Sequence, residues 1–513
     1  MPFLLTREPW IPCTTPDGRR VDLGLHEVFA RAHQLTAVHD ASPLVTLAMH
    51  RLLLAILHRV FGPPNLDAWR ALYKRGSFDA AKIDAYLEEW ASRFDLLHPE
   101  RPFYQTRGLA ALYEPDDVRR LVLERSNYGA PAFVFQHRPT DAGDELSLAE
   151  AARGLLTLHA FSPGGLVRKA GEPGSASAGP LNRGAYVLLR GTNVFETLVR
   201  NLVVYQPEDG SPLAGDASRD RPSWEQPPLA RPVGEREPRR RPHGWIDLLT
   251  WQSRRAELAL TSDGQKVVGV VYCVAQGLDF EGLSEPMLAY KTDGKNVFAV
   301  GLSENRALWR DCHALIRVHD ADGAARAPAS VRQAARRVVA ELFPAHVDLD
   351  VLGMCGDQAK ILLTRAERLS VPAALLESAE RAEPIREALE IAEGGVRALR
   401  DAVRTSVSTS LSPGDREPDR DEVRRFADSL GADARYWGTL AVSFEALLDA
   451  VARSDEAALD RFVADVRDTA TESLRAAAES LGTSARQLQG TARAEVVLRA
   501  KLRELKPTDG DAV

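Results

Sequence analysis

From about residue 370 onward the chain changes character. Ala, Arg, Glu and Leu dominate, and aromatic residues thin out to Tyr436-Trp437 and a few phenylalanines. Four amphipathic stretches follow, at about 374–410, 421–453, 455–480 and 484–505, separated by Ser412-Pro413-Gly414, Ser454-Asp455 and Gly482. Apolar positions such as Leu389, Val396, Leu399 and Val403 return to one side of a helix, the mark of a buried stripe. Four such helices joined by short breaks pack most simply as a four-helix bundle, so residues 369–513 are predicted to form one. The pair Gly394-Gly395 marks a place for a kink in its first helix.

Residues 1–368 read differently, as a large mixed α/β domain, which makes the whole chain α+β. Helical spacing of Leu, Ile, Trp and Phe predicts core helices over Pro43 to Phe61 and Ile83 to Phe94, with Asp79 as a capping residue before the second. The β-branched run Lys266 to Ala275 reads as a buried strand. Met287 to Tyr290 and Val297 to Val300 read as a hairpin around Thr292-Asp293-Gly294-Lys295. Helices and strands do not alternate cleanly, and neither a dinucleotide fingerprint nor a P-loop follows a strand.

Composition excludes several classes. Hydrophobic residues make up 44% of the 513 and charged residues 27%. The apolar run Leu44 to Val60 is broken by His50, Arg51, His58 and Arg59, so no membrane span is expected. The first ten residues carry an acid and prolines where a secretory signal needs a basic start, and the expected location is the cytoplasm. Cys13, Cys273, Cys312 and Cys355 form no Cys-x-x-Cys pair, so neither a zinc site nor a disulfide framework is indicated, and no cofactor is expected. A net charge of −7 is the reverse of what a free-standing nucleic-acid binder shows. The run Arg239-Arg240-Arg241 is a local exception that reads as a solvated loop.

The search for catalytic patterns finds no nucleophile elbow, His-Glu-x-x-His or Asp-x-Asp cluster in a context that would assemble an active site, so an enzyme is disfavoured. His50 and His58 read as satisfied histidines, and the acids between Asp415 and Glu422, interleaved with arginines, as a solvated turn. More informative is Val351 to Leu363, where Gly356-Asp357-Gln358-Ala359 separates two apolar runs. Glycine permits close backbone approach, and an amide that both donates and accepts can read or wedge a base edge, which singles out Gln358. Two long irregular segments are also candidates: 127–145 with the apolar tip Phe133-Val134-Phe135, and the Gly/Ser/Ala/Pro-rich 162–184. Their plainer readings are a strand edge packed on the core and a flexible connector.

Several longer strings resemble the large subunit of the type I-E CRISPR surveillance complex, Cascade, over essentially the whole chain. They include Phe3 to Pro12, Ser42 to Ile56, Arg93 to Gln105, Arg190 to Leu198, Arg221 to Glu225, Leu249 to Arg254, Arg306 to Asp311 and Leu502 to Pro507. The resemblance implies a non-catalytic subunit that recognises the protospacer-adjacent motif (PAM) in double-stranded DNA, largely from the minor groove, and starts unwinding. Guide pairing then supplies sequence specificity. It implies Gln358 as a wedge, flanked by Asp357 and Ala359, with Lys291 or Lys295 as the groove-reading lysine and Gly174 to Gly179 as the glycine loop. Phe133, Val134 and Phe135 would anchor the subunit to the 5′ handle of the guide RNA and the adjacent backbone subunit. The backbone and small subunits of Cascade are implied partners, as is a helicase-nuclease recruited after R-loop formation. Asp357 and Phe135 each stand where the family has asparagine, and the zinc-binding cysteines of some relatives are missing. A contrasting expectation is a helical-bundle scaffold that binds protein partners without touching DNA.

Overall fold

The computed structural model describes residues 2–125, 144–167, 174–182, 184–233, 235, 237–293, 296–318, 327–336, 340–357, 360–412 and 418–506. The chain forms two compact units, the first built from Met1–Glu304, Ala327–Leu342 and Asp348–Ser370, the second from Asn305–Arg326, Phe343–Val347 and Val371–Val513. The architecture is mixed α+β. The grouping is discontinuous in sequence, whereas a single cut was expected between 368 and 369. Aromatic packing accounts for part of this: Trp309 lies 4.7 Å from Phe444 and 5.5 Å from Trp437, ring centre to ring centre, which draws its segment into the second unit.

In the first unit the helix Pro43–Val60 starts where Ser42 accepts a hydrogen bond from the Val45 amide and Pro43 takes the first turn. It is long and apolar enough to cross a membrane, yet it is largely buried inside the protein. Leu148–Phe161 begins with a reciprocal capping box between Ser147 and Glu150. The Asp79 expectation is met in position only: Asp79 precedes the helix Ala80–Glu89 without a side-chain cap and pairs instead with Arg75 at 3.5 Å. The strand expected from Lys266 is Lys266–Val274, paired antiparallel with Arg254–Leu260.

The strand Gly184–Leu189 is buried along its whole length, as its unbroken apolar sequence requires. It pairs antiparallel with His346–Asp357, which in turn neighbours Lys360–Pro372 in a three-stranded sheet. The latter two strands form a long hairpin. A short hairpin, Tyr290–Asp293 with Asn296–Ala299, is shifted from its expected limits, because Met287 and Val300 hydrogen-bond to the strand Gly184–Leu189 instead. A third pair, Gly165–Val167 with Gly174–Ala176, is a glycine-containing ribbon.

Among the described residues after 378 the second unit holds five helices: Ala379–Leu411, Arg420–Ser429, Ala432–Ala452, Ala458–Leu481 and Ala485–Arg503. The stretch expected to run unbroken over 421–453 is divided at Gly431, whose φ of +67° leaves the helical region. Gly394 and Gly395 lie within an uninterrupted helix. Their role is close packing: a Cβ on Gly395 would come within 2.5 Å of the Tyr436 hydroxyl oxygen, and Tyr436 donates to the Ala392 carbonyl at 2.8 Å.

Candidate nucleic-acid interface

Two of the hairpins, the short one and the long one, share a root at Gly184. The Ala185 amide donates to Val300 O at 2.8 Å and the Val187 amide to Met287 O at 2.9 Å, so both ends of the short hairpin are tied to the strand Gly184–Leu189. On the other edge Met354 is opposite Gly184 and Gly353 opposite Ala185, which brings the far end of the long hairpin to the same place. Both glycines are required there. A Cβ on Gly184 would lie 2.5 Å from Leu288 Cδ2, and one on Gly353 would fall against the Gly184 carbonyl oxygen. Between the glycine ribbon and this root in sequence, Pro180 O accepts a hydrogen bond from the Tyr186 hydroxyl at 3.2 Å.

Lys291 sits on the exposed short hairpin directly across from Phe298, so the two share one face. Phe298 is 48% exposed and its neighbour Val297 57%. Lys295 lies outside the described residues. Asp357 is the last residue of its strand and Lys360 the first of the next; Gln358 and Ala359 between them are outside the described residues. Gly174 pairs with Val167 in the ribbon. Gly179 faces the protein: its amide donates to Ser162 O at 2.8 Å, and a Cβ would meet the Ala160 carbonyl oxygen at 2.5 Å. Phe133, Val134 and Phe135 lie outside the described residues.

Sequence reading missed the residues that hold these segments in place, because each acts over a long sequence separation. Buried Arg254 donates to Ser177 O at 2.9 Å and Pro163 O at 2.7 Å, clamping both arms of the 162–184 segment. Buried Arg51 donates to Glu285 at 2.9 Å and to Leu248 O at 2.9 Å. Glu285 also accepts from the Met287 amide, and its own amide donates to the Tyr290 hydroxyl at 2.6 Å, so the ion pair reaches the base of the Lys291 hairpin. The arginine run is less solvated than expected. Arg240 makes a two-pronged pair with Asp247 and lies 4.3 Å from the Trp251 ring centre, while Arg241 is 66% exposed.

A sequence model of the CRISPR-associated protein Cse1 family matches residues 5–487. This chain belongs to that family. A CRISPR-associated protein CasA/Cse1 of Thermus thermophilus is 34% identical over 524 residues, covering 98% of both chains. The crystal structure of CasA from Thermus thermophilus superposes with a TM-score of 0.81 at 32% identity, over 98% of this chain and 100% of that one. A chain solved as part of a CRISPR RNA-guided surveillance complex has a TM-score of 0.76 over 97% of this chain and 99% of that one. At 23% identity, it shows the fold alone. The Cse1/CasA family is the large subunit of Cascade. The strings that carried the resemblance prove to be substantially core: Glu225, for example, accepts two bonds from Arg59 and one from Tyr86, and its side chain is 3% exposed.

Proposed function

We propose that this protein recognises the PAM in double-stranded DNA, mainly through the minor groove, and wedges the duplex open with Gln358 to start R-loop formation. It acts as a non-catalytic subunit of an RNA-guided type I-E complex in antiviral defence, working in the cytoplasm. The observation that carries the reading is the common root at Gly184, which ties the hairpin of Lys291 and the strands flanking Gln358 to one strand end. A rigid shared base suits a reader whose lysine, glycine loop and wedge must meet one short DNA segment together. Minor-groove readout is degenerate, which fits acceptance of several related motifs. Unstacking a base step costs roughly a few kcal/mol, which backbone contacts and guide pairing offset. Phe298, exposed beside Lys291, adds an apolar face of the kind that enters minor grooves.

Residues 1–368 carry PAM recognition and assembly, and 369–513 form the C-terminal helical bundle. Phe133, Val134 and Phe135 engage the guide RNA 5′ handle and the neighbouring backbone subunit. The small subunits and a helicase-nuclease complete the set of partners. Assembly explains how a chain of net charge −7 works on DNA, because its partners and the guide supply much of the attraction.

The test is electrophoretic mobility of the assembled complex on duplexes with and without a PAM, followed by base-opening fluorescence with Gln358→Ala. The variant is expected to assemble normally and open PAM duplexes slowly. Opening at the normal rate removes the wedge role. Equal mobility shifts with and without a PAM favour the scaffold reading.

A further inference from the structure

A cleft of about 280 Å³ in the first unit is lined by five arginines, Arg93, Arg101, Arg107, Arg240 and Arg255, against two acids, Glu100 and Asp247. Three of the five are committed. Arg107 pairs with Glu257 at 3.4 Å, Arg255 with Glu237 at 3.2 Å and Arg240 with Asp247. The other two have no carboxylate partner among the described residues. Arg101 donates to Gln226 O at 2.9 Å, and Arg93 makes no side-chain hydrogen bond or ion pair there. Burial and then the neighbouring Arg93 charge lower the pKa of Arg101. Two partly exposed guanidinium groups without a carboxylate partner among the described residues, lining one cleft, offer an anion two charged forks.

The remaining lining is specific. Arg240 is fixed flat, between the two oxygens of Asp247 and the face of Trp251, with 28% of its side chain exposed. A guanidinium so held is a planar stacking surface. Gln252, half-buried in the same lining, makes no side-chain hydrogen bond among the described residues, leaving an amide able to donate and accept. Tyr104, also in the lining, holds a φ of +55°, a strained conformation for a non-glycine residue. A bare phosphate would leave most of this cleft, the flat surface and the amide unused.

We propose that the cleft binds a nucleoside monophosphate unit, with its phosphate between Arg93 and Arg101, its base stacked on Arg240 and the base edge read by Gln252. The unit is either a free nucleotide or one nucleotide of an unpaired strand. The site stands apart from the duplex-reading hairpins and does not depend on the function assigned to them.

Titration calorimetry on the full chain with AMP, adenosine, inorganic phosphate and pentathymidylate with and without a 5′ phosphate tests it. AMP is expected to saturate one site per chain and bind more tightly than either adenosine or phosphate. Arg101→Gln and Arg93→Gln should each weaken AMP about tenfold, and Gln252→Ala should weaken AMP several-fold while leaving phosphate unchanged. Tighter binding of the pentamer than of AMP assigns the site to a strand; the reverse assigns it to the free nucleotide. No saturable binding of AMP or either pentamer, or AMP binding no tighter than phosphate, overturns the proposal. Melting temperatures check folding, and if Arg101→Gln melts early, Arg93→Gln carries the test. That change removes the charge at a residue with no side-chain partner among the described residues, so unchanged AMP affinity overturns the phosphate assignment.

Discussion

Arg51 and Glu285, 234 residues apart in sequence, form a buried ion pair of 2.9 Å, with side chains 2% and 8% exposed. Breaking one partner leaves the other charge buried and alone. Arg51→Met is therefore expected to destabilise the chain by about 3–5 kcal/mol, and Arg51→Met with Glu285→Leu to recover a large part of that loss. Urea unfolding of the single and double variants measures both. A single variant within about 0.5 kcal/mol of the parent would remove this pair as an anchor of the Lys291 hairpin.

Lys291→Ala is expected to reduce discrimination between PAM and non-PAM duplexes in the assembled complex. Loss of exposed Arg241 should weaken both duplexes alike and flatten the salt dependence by about one phosphate contact. Binding titrations at several salt concentrations separate the two. Equal losses on both duplexes for Lys291→Ala would make it a phosphate contact and pass the reading role to Lys295.

Gly353→Ala places a methyl group against the Gly184 carbonyl oxygen, where backbone rather than a flexible side chain must yield. The expected cost is about 1–3 kcal/mol, with R-loop formation falling along with stability. Thermal melting and an R-loop assay on the same preparation check whether the two losses travel together.

Two buried histidines make stability acid-sensitive. Burial lowers His58 from 6.5 to about 3 and His159 to about 4, and both nitrogens of His58 lack a hydrogen-bond partner among the described residues. The unfolded chain protonates these groups near pH 6.5 while the folded one does not. Their contribution is thus full above that pH and is lost as pH falls toward the folded values, on the order of 1.4 kcal/mol per pH unit for each. His58→Phe should flatten the slope of unfolding free energy between about pH 6 and pH 4 by roughly one proton. An unchanged slope would mean that His58 is protonated in the folded chain.

Phe133→Ala with Val134→Ala is expected to leave the melting temperature of the free subunit nearly unchanged and to lose the subunit from the purified complex. A large fall in melting temperature would instead make the tip part of the core.

Local patterns were legible where the determinants are local. The Pro43 helix follows from its spacing and from the Ser42-Pro43 start, and the amphipathic helices follow from their stripes. Gly431 escaped notice as a break because a glycine's φ is decided by the turn it serves, which periodicity does not record. Gly356 to Ala359 drew attention as a polar interruption between apolar runs. Gly184, Gly353, Arg254 and Arg51 did not, since each owes its importance to a neighbour far along the chain.

The close approach of Gly353 to Gly184 also limits how such a protein can be retuned. Where two backbones touch, there is no side chain whose size could be adjusted to slide one hairpin past the other, so the spacing between their bases is effectively a fixed ruler. Under the proposed function, a change in the DNA motif accepted would then be written in the length and chemistry of the hairpin ends. Selection for a new motif should concentrate substitutions and insertions around 291–298 and 356–362, with 184 and 353 unaltered.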